Sequence, residues 1–229
     1  MRNLIGEKRM NCLIIGDIHG CYYTFSRLLK SWNKEQEILI LVGDLIDRGN
    51  YSAKVVKKCM ELMHTYENIV ILKGNHEAEL IQYIQDGTND NWTSQGGDLT
   101  LLDFEDAGIH YSDMLAWLME LPLYYETPHF MVTHAGITTT ENPFLEAAED
   151  SVVWNRKALR NIGKLQIHGH TPLLSNQAHY NPLSNSWNID TGAYYGFGLT
   201  AIRIENSATI HTFIHIPTDQ RDCVKINKQ

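Results

Sequence analysis

The sequence predicts a mixed α/β fold, either one mixed sheet or two packed sheets with helices outside. Three observations predict it. Short apolar runs recur along the chain, each ending in Gly, Asp or His or just before one. Helical stripes separate the first of these runs. The last part of the chain reads as strands alone, which gives a β-α-β-α-β-α beginning and a strand-rich end. With 229 residues, 43% of them hydrophobic, the chain can bury one sizeable core. One domain over 1–229 is the expectation.

The elements follow in order. Residues 1–10 read as a loose leader, with Met10 as an alternative start. Residues 12–15, 38–42, 69–72, 130–132, 165–167 and 187–189 are short runs, most rich in Ile, Leu and Val, as buried strands are. Phe25, Leu28, Leu29 and Trp32 share one helical face. A second stripe runs from Ser52 to Tyr66 through Val55, Val56, Cys59 and Leu62, with Ser52 as the expected N-cap. Residues 77–85 form a third helix, with the Glu77 carboxylate favourable to its dipole. Ser112 is the expected cap of a fourth, which Pro122 ends. Residues 86–98 read as a turn-rich loop, and 199–204 and 209–216 as closing strands.

Composition narrows the function. The net charge is −8 and there is no run of five Lys or Arg, so nucleic acid is not an expected partner. No apolar run is long enough for a membrane span. The four cysteines form no CxxC pair and read as reduced thiols, which points to the cytoplasm.

The carboxyl ends of the apolar runs carry the chemistry. They are followed by Gly16-Asp17-Ile18-His19-Gly20, by Gly43-Asp44-Leu45-Ile46-Asp47-Arg48-Gly49, by Gly74-Asn75-His76-Glu77, by Thr133-His134-Ala135-Gly136 and by His168-Gly169-His170-Thr171. Open α/β sheets bind ligands outside the carboxyl ends of their strands. Taken singly, a strand-end Asp is commonly a turn residue and a His near an apolar run a packed one. Five such ends together can gather two aspartates, an asparagine and three histidines. Carboxylate, amide and imidazole donors suit Mn, Fe or Zn, and six are too many for one catalytic zinc. They suit two cations sharing a carboxylate.

These five motifs, in this order, resemble the calcineurin-like metallophosphoesterases. The DRG and GNHE forms are similar to the phosphoprotein phosphatase branch, and to its small bacterial and phage type, typified by the bacteriophage lambda phosphatase. VWNR at 153–156, IDTGA at 189–193 and NW…GG at 91–97 share that likeness. The resemblance implies two mixed β-sheets flanked by helices. It implies that Asp17 and His19 hold a first metal, that Asp44 bridges, and that Asn75, His134 and His170 complete a second. Manganese is the expected metal, with iron or zinc as alternatives. Arg48 and Arg156 would grip phosphoryl oxygens, and His76, oriented by Asp47, would be the general acid. Hydrolysis would proceed by direct attack of a hydroxide bridging the metals.

The implied substrate is protein phosphoserine or phosphothreonine, with phosphotyrosine and small phosphomonoesters beside them. The alternative is a symmetrical dinucleoside tetraphosphate, whose hydrolases carry Ala where Asp47 stands. A non-catalytic scaffold is the remote third reading. Pro172 stands where many relatives have a second His, which fits the phosphatase branch. The SAPNY segment of eukaryotic phosphatases is absent, with GAYYGFG at 192–198 nearby, so no regulatory subunit is implied. Specificity would lie in 86–98 and 138–152. His168 is read as a packed or hydrogen-bonded residue, and Trp92 as either a core or loop anchor or a substrate contact.

Overall fold

Alternation along the first strand sets the layers. In a computed structural model, which describes residues 11–223, β1 spans Asn11–Ile15. Cys12 and Ile14 join one apolar cluster, and Leu13 and Ile15 join another. Successive strand side chains point to opposite faces, so a strand apolar at every position must be covered on both sides. The proposed leader, 1–10, lies outside the described residues.

The strands β1, β2 (Glu37–Leu41) and β3 (Ile69–Ile71) are parallel neighbours. On the other edge β9 (Leu199–Ile204) pairs antiparallel with β1, and β10 (Ile210–Ile216) with β9. This sheet has the order β10-β9-β1-β2-β3. The second sheet contains β4 (Tyr124–Glu126), β5 (Phe130–Thr133), β6 (Leu165–His168), β7 (His179–Asn181) and β8 (Ser186–Asn188). Its order is β4-β5-β6-β8-β7, with β5, β6 and β8 parallel. Cys12, Ile14, Ile40 and Ile202 meet Phe130, Val132 and Ile167 in the cluster that fills the space between the sheets. The structure is therefore the sandwich of two mixed sheets, with helices flanking it.

The helices α1 (Tyr22–Leu28) and α2 (Ser52–Thr65) cover the outer face of the first sheet. Phe25, Leu28, Val55 and Cys59 pack there with Leu13, Leu39 and Leu41. Burying each such side chain contributes roughly 1.5–3 kcal/mol. Four more helices follow: α3 (Asn75–Asp86), the single turn α4 (Asp90–Trp92), α5 (Asp98–Asp106) and α6 (Leu115–Glu120).

Several expectations are corrected. Ser52 does not cap α2, because Tyr51 precedes the helix and the Ser52 hydroxyl accepts the Asp47 N–H at 2.9 Å. Ser112 lies inside a 3-10 turn, Tyr111–Met114, ahead of α6. Residues 86–98 are largely helical. The Asn89 side chain caps the Trp92 N–H at 3.1 Å, and a kink at Gly96, φ 106°, leads into α5. Asn75 and His76 are the first residues of α3, not a strand end, so the two side chains diverge by a helical step. The short strands β4 and β7 carry too few apolar residues to signal themselves.

Candidate metal centre and acid pair

Each predicted donor sits where a parallel strand ends. The β1–α1 loop brings Asp17 and His19, and the β2–α2 loop brings Asp44, Asp47 and Arg48. Asn75 and His76 follow β3, His134 follows β5, and His170 follows β6. His19, Asp44, Asp47, Arg48 and His170 all have left-handed backbone, with φ between 45° and 71°. Such conformations are uncommon for residues with a Cβ and concentrate at functional sites.

The structure brings the six donors together, all 5% exposed or less. Asp44 is central. Its Oδ2 lies 3.4 Å from His19 Nε2, and its Oδ1 lies 3.4 Å from His134 Nε2. Asn75 Oδ1 lies 2.8 Å from His170 Nδ1 and 3.1 Å from His134 Nε2. Asp17 Oδ2 accepts the His170 backbone N–H at 2.9 Å. Gly169 lies against Asp17 so closely that a Cβ there would overlap the carboxylate.

Three observations fit a pair of cations. His19 and His134 each donate Nδ1–H to a backbone carbonyl, of Ile46 and Val42, both at 3.0 Å. That fixes a neutral tautomer and turns the Nε2 lone pair onto Asp44, the arrangement of a metal-ligating imidazole. Burial holds His19 and His134 below ordinary imidazole against the opposing pull of the Asp44 charge, and burial with the neighbouring His134 brings His170 down to about 2, so all three keep free lone pairs. Asp17 Oδ1 and His170 Nε2 are buried without a hydrogen-bond partner. Lone pairs converging on carboxylate and amide oxygens repel unless a cation lies between them. Asp44 faces His19 on one side and His134 with His170 on the other, so it can serve two ions.

Beside this cluster lies a different arrangement. His76 Nδ1 bonds Asp47 Oδ2 at 2.6 Å. The same oxygen accepts Trp92 Nε1–H at 2.7 Å, and Oδ1 accepts the Thr100 hydroxyl at 2.6 Å. Asp47 and Trp92 are fully buried. Burial opposes a charged His76 ring, but the Asp44 charge and the Asp47 hydrogen bond outweigh it, so His76 titrates above ordinary imidazole. With Nδ1 occupied, Nε2 is the atom that faces the cluster, where the His76 and His19 rings meet at 4.7 Å.

Glu77 does more than favour a helix dipole. It is fully buried, and its carboxylate accepts the Asp44 and Leu45 N–H groups at 2.8 Å and Gly74 N–H at 2.9 Å. It thereby latches the Asp44 loop to the start of α3. Arg48 donates to the Tyr194 hydroxyl at 2.9 Å and to Gln95 at 3.3 Å, and lies over the Tyr194 ring. Arg156 is exposed and, among the described residues, makes no side-chain hydrogen bond, although its charge reaches His134 and His170. It borders a groove with Glu149, Trp154 and Lys157. His168 donates Nδ1–H to the Gly169 carbonyl at 3.1 Å. Trp92 had only its place in the NW…GG likeness to mark it. Ser52 was read as a cap, and nothing singled out Thr100.

Residues 10–207 match the family described as calcineurin-like phosphoesterase. The chain is 29% identical to serine/threonine-protein phosphatase 1 of Salmonella typhimurium over 207 residues, covering 84% of this chain and 91% of that protein. It is 27% identical to the asymmetrical bis(5'-nucleosyl)-tetraphosphatase PrpE of Bacillus cereus over 238 residues, covering 89% and 94%. A solved structure described as a putative diadenosine tetraphosphatase shares the fold, with a TM-score of 0.68, 22% identity and coverage of 94% and 97%.

Proposed function

The chain belongs to the calcineurin-like phosphoesterase family, and from that premise we propose that it is a metal-dependent phosphomonoesterase acting mainly on phosphoserine and phosphothreonine in proteins. Asp17 and His19 would hold one divalent cation, Asn75, His134 and His170 a second, with Asp44 reaching both. Manganese is the preferred ion, and the donor set also suits iron or zinc. Such ions would supply Lewis-acid polarisation of phosphoryl oxygens and a more acidic water. Arg48 offers a bidentate fork to the phosphoryl group, and Arg156 approaches it from the exposed side. His76 Nε2 gives its proton to the leaving oxygen, while Asp47 fixes the ring and keeps it protonated.

The single observation carrying this reading is the buried Asp47, held by Trp92 and Thr100 and bonded to His76. A serine or threonine alkoxide is strongly basic and leaves only with a proton. A nucleotide phosphate, whose second pKa is about 6, leaves without one. A site that devotes four side chains to a proton donor suits an alcohol leaving group. A dinucleoside tetraphosphate is the second reading. It is favoured by the half-exposed Tyr195, whose ring packs on that of Tyr194 at a 35° tilt with centroids 3.9 Å apart and offers an aromatic face to a base.

Among the described residues no helix is long and apolar enough to cross a membrane. The four cysteines are unpaired, which supports a cytoplasmic setting. Nucleic acid and a regulatory subunit are not part of the proposal.

The test is kinetic. The manganese-reconstituted protein is assayed on phosphoserine peptides, bis-nucleosyl tetraphosphates and 4-nitrophenyl phosphate in parallel. The expected kcat/KM is at least about tenfold higher on the peptides than on the dinucleotides, a difference of about 1.4 kcal/mol in barrier. The reverse order rejects the protein-phosphatase reading and leaves the phosphoesterase one.

A further inference from the structure

After β10 the chain crosses the amino end of α1 and touches the two loops that carry Asn50 and Ala193. The Thr218 hydroxyl donates to the Ala193 carbonyl at 2.7 Å, beside Tyr194. The Asp219 N–H donates to the Thr24 hydroxyl at 2.8 Å. Asp222 is fully buried, and its carboxylate accepts Tyr23 N–H at 3.0 Å, Thr24 N–H at 2.7 Å and the Thr24 hydroxyl at 2.7 Å. Asn50, two residues after Arg48, closes the other side. Its backbone N–H donates to the Asp222 carbonyl at 3.2 Å. Its side-chain amide donates to the carbonyls of Arg221 at 2.8 Å and Cys223 at 2.7 Å.

We propose that residues 218–223 form a strap that positions Arg48 for phosphate binding, with Asp222 as its anchoring residue. Asp222 touches no reacting group and acts through Asn50 and the loops beside it. Asp47 and Arg48 have φ of 71° and 67°. Left-handed residues of this kind are strained and persist only where their surroundings over-determine them. Part of that restraint is local. The Gly49 N–H donates to the His19 carbonyl at 3.1 Å, in an approach so close that a Cβ on Gly49 would overlap that carbonyl. Ser52 and Thr100 hold Asp47, Gln95 holds the Arg48 guanidinium, and the strap braces the loop at Asn50. Arg48 grips Tyr194, and both partners are tied to the same six residues, one through Asn50 and the other through Ala193. A carboxylate with three donors in a buried setting is a strong fixture.

The proposal rests on Arg48 holding the phosphoryl group, so its test uses 4-nitrophenyl phosphate, which carries neither peptide nor base. Asp222→Ala and Asn50→Ala are made in the full chain, singly and together. KM, and the inhibition constant of inorganic phosphate, are expected to rise about tenfold in each, since small misplacements cost that much or more. The kcat at saturation should change less than about twofold, and its pH profile should not move. The double variant should lose little beyond either single, because both cut one connection. Asp222→Asn, which keeps one acceptor oxygen, should recover part of the loss. Thr218→Val cuts the strap at its half-buried contact with Ala193 and covers the case in which Asp222→Ala fails to fold; it should raise KM in the same direction. Unchanged KM and phosphate inhibition per folded molecule, with only a lower melting temperature, would overturn the proposal. So would a pH profile displaced as in Asp47→Asn, or additive losses. Failure of the unsubstituted chain on this ester would refute the functional reading instead.

Discussion

The six-donor cluster and the Asp47–His76 pair lie against each other, and they satisfy their polar atoms in opposite ways. Around Asp44 the histidine lone pairs point at oxygens, and Asp17 Oδ1 and His170 Nε2 have no partner. Around Asp47 both oxygens are filled by His76, Trp92 and Thr100. The first group is complete only with ions from outside the chain. The second is completed by the chain itself. The Asp47–His76 pair is built into the fold and needs no ion to hold it in place.

The sharpest way to break this comparison is at the donor. His76→Asn should lower kcat on phosphoserine peptides by about 10²–10⁴-fold. On 4-nitrophenyl phosphate, whose leaving group departs without help, the loss should be far smaller. Equal losses on both would show that His76 acts through the ion cluster rather than as an acid.

Asp47→Asn comes next, with a loss of roughly 10²-fold on peptides. Asp47 raises the His76 pKa, so its loss lowers it. The protonated form is then lost earlier as pH rises, and the basic limb of the kcat profile should move to lower pH. A limb that stays put, or moves upward, would assign that limb to another group.

The two halves also differ in how far the sequence announces them. The donors stand beside glycines at strand ends, where a short apolar run and a GD, GN or GH pair can be read directly. The strands themselves show by short apolar runs, apart from β4 and β7. Thr100 offers no such signal. It lies 53 residues from Asp47, on a helix that follows a stretch rich in Gly, Asn and Asp, and only the packing of that helix brings its hydroxyl to the carboxylate. Trp92 shares this distance problem, at 45 residues. The sequence marks Arg48 well, but its hold on Tyr194 spans 146 residues and depends on a tertiary contact.

A smaller effect sharpens the comparison. Trp92→Phe keeps an aromatic ring but removes one donor to a buried carboxylate, a loss of about 1.5–3 kcal/mol in stability. Activity on peptides should fall about tenfold, with KM nearly unchanged, because the change acts on protonation. A rise in KM with constant kcat would place Trp92 at the substrate instead.

Chelation probes the other half. Each cation bound only by the folded chain should stabilise it by about 2.7 kcal/mol at one hundred times its dissociation constant. Removing them should lower the melting temperature, and Mn should restore it. Asp44→Asn, which weakens both sites, should abolish most of that restoration.

The most direct test of the shared Asp44 is the stoichiometry and coupling of bound manganese, measured by elemental analysis with electron paramagnetic resonance on the same sample. Two manganese ions per chain with an exchange-coupled signal are expected, and the coupling should disappear in Asp44→Asn. One ion per chain, or two ions that are magnetically independent, would contradict the account.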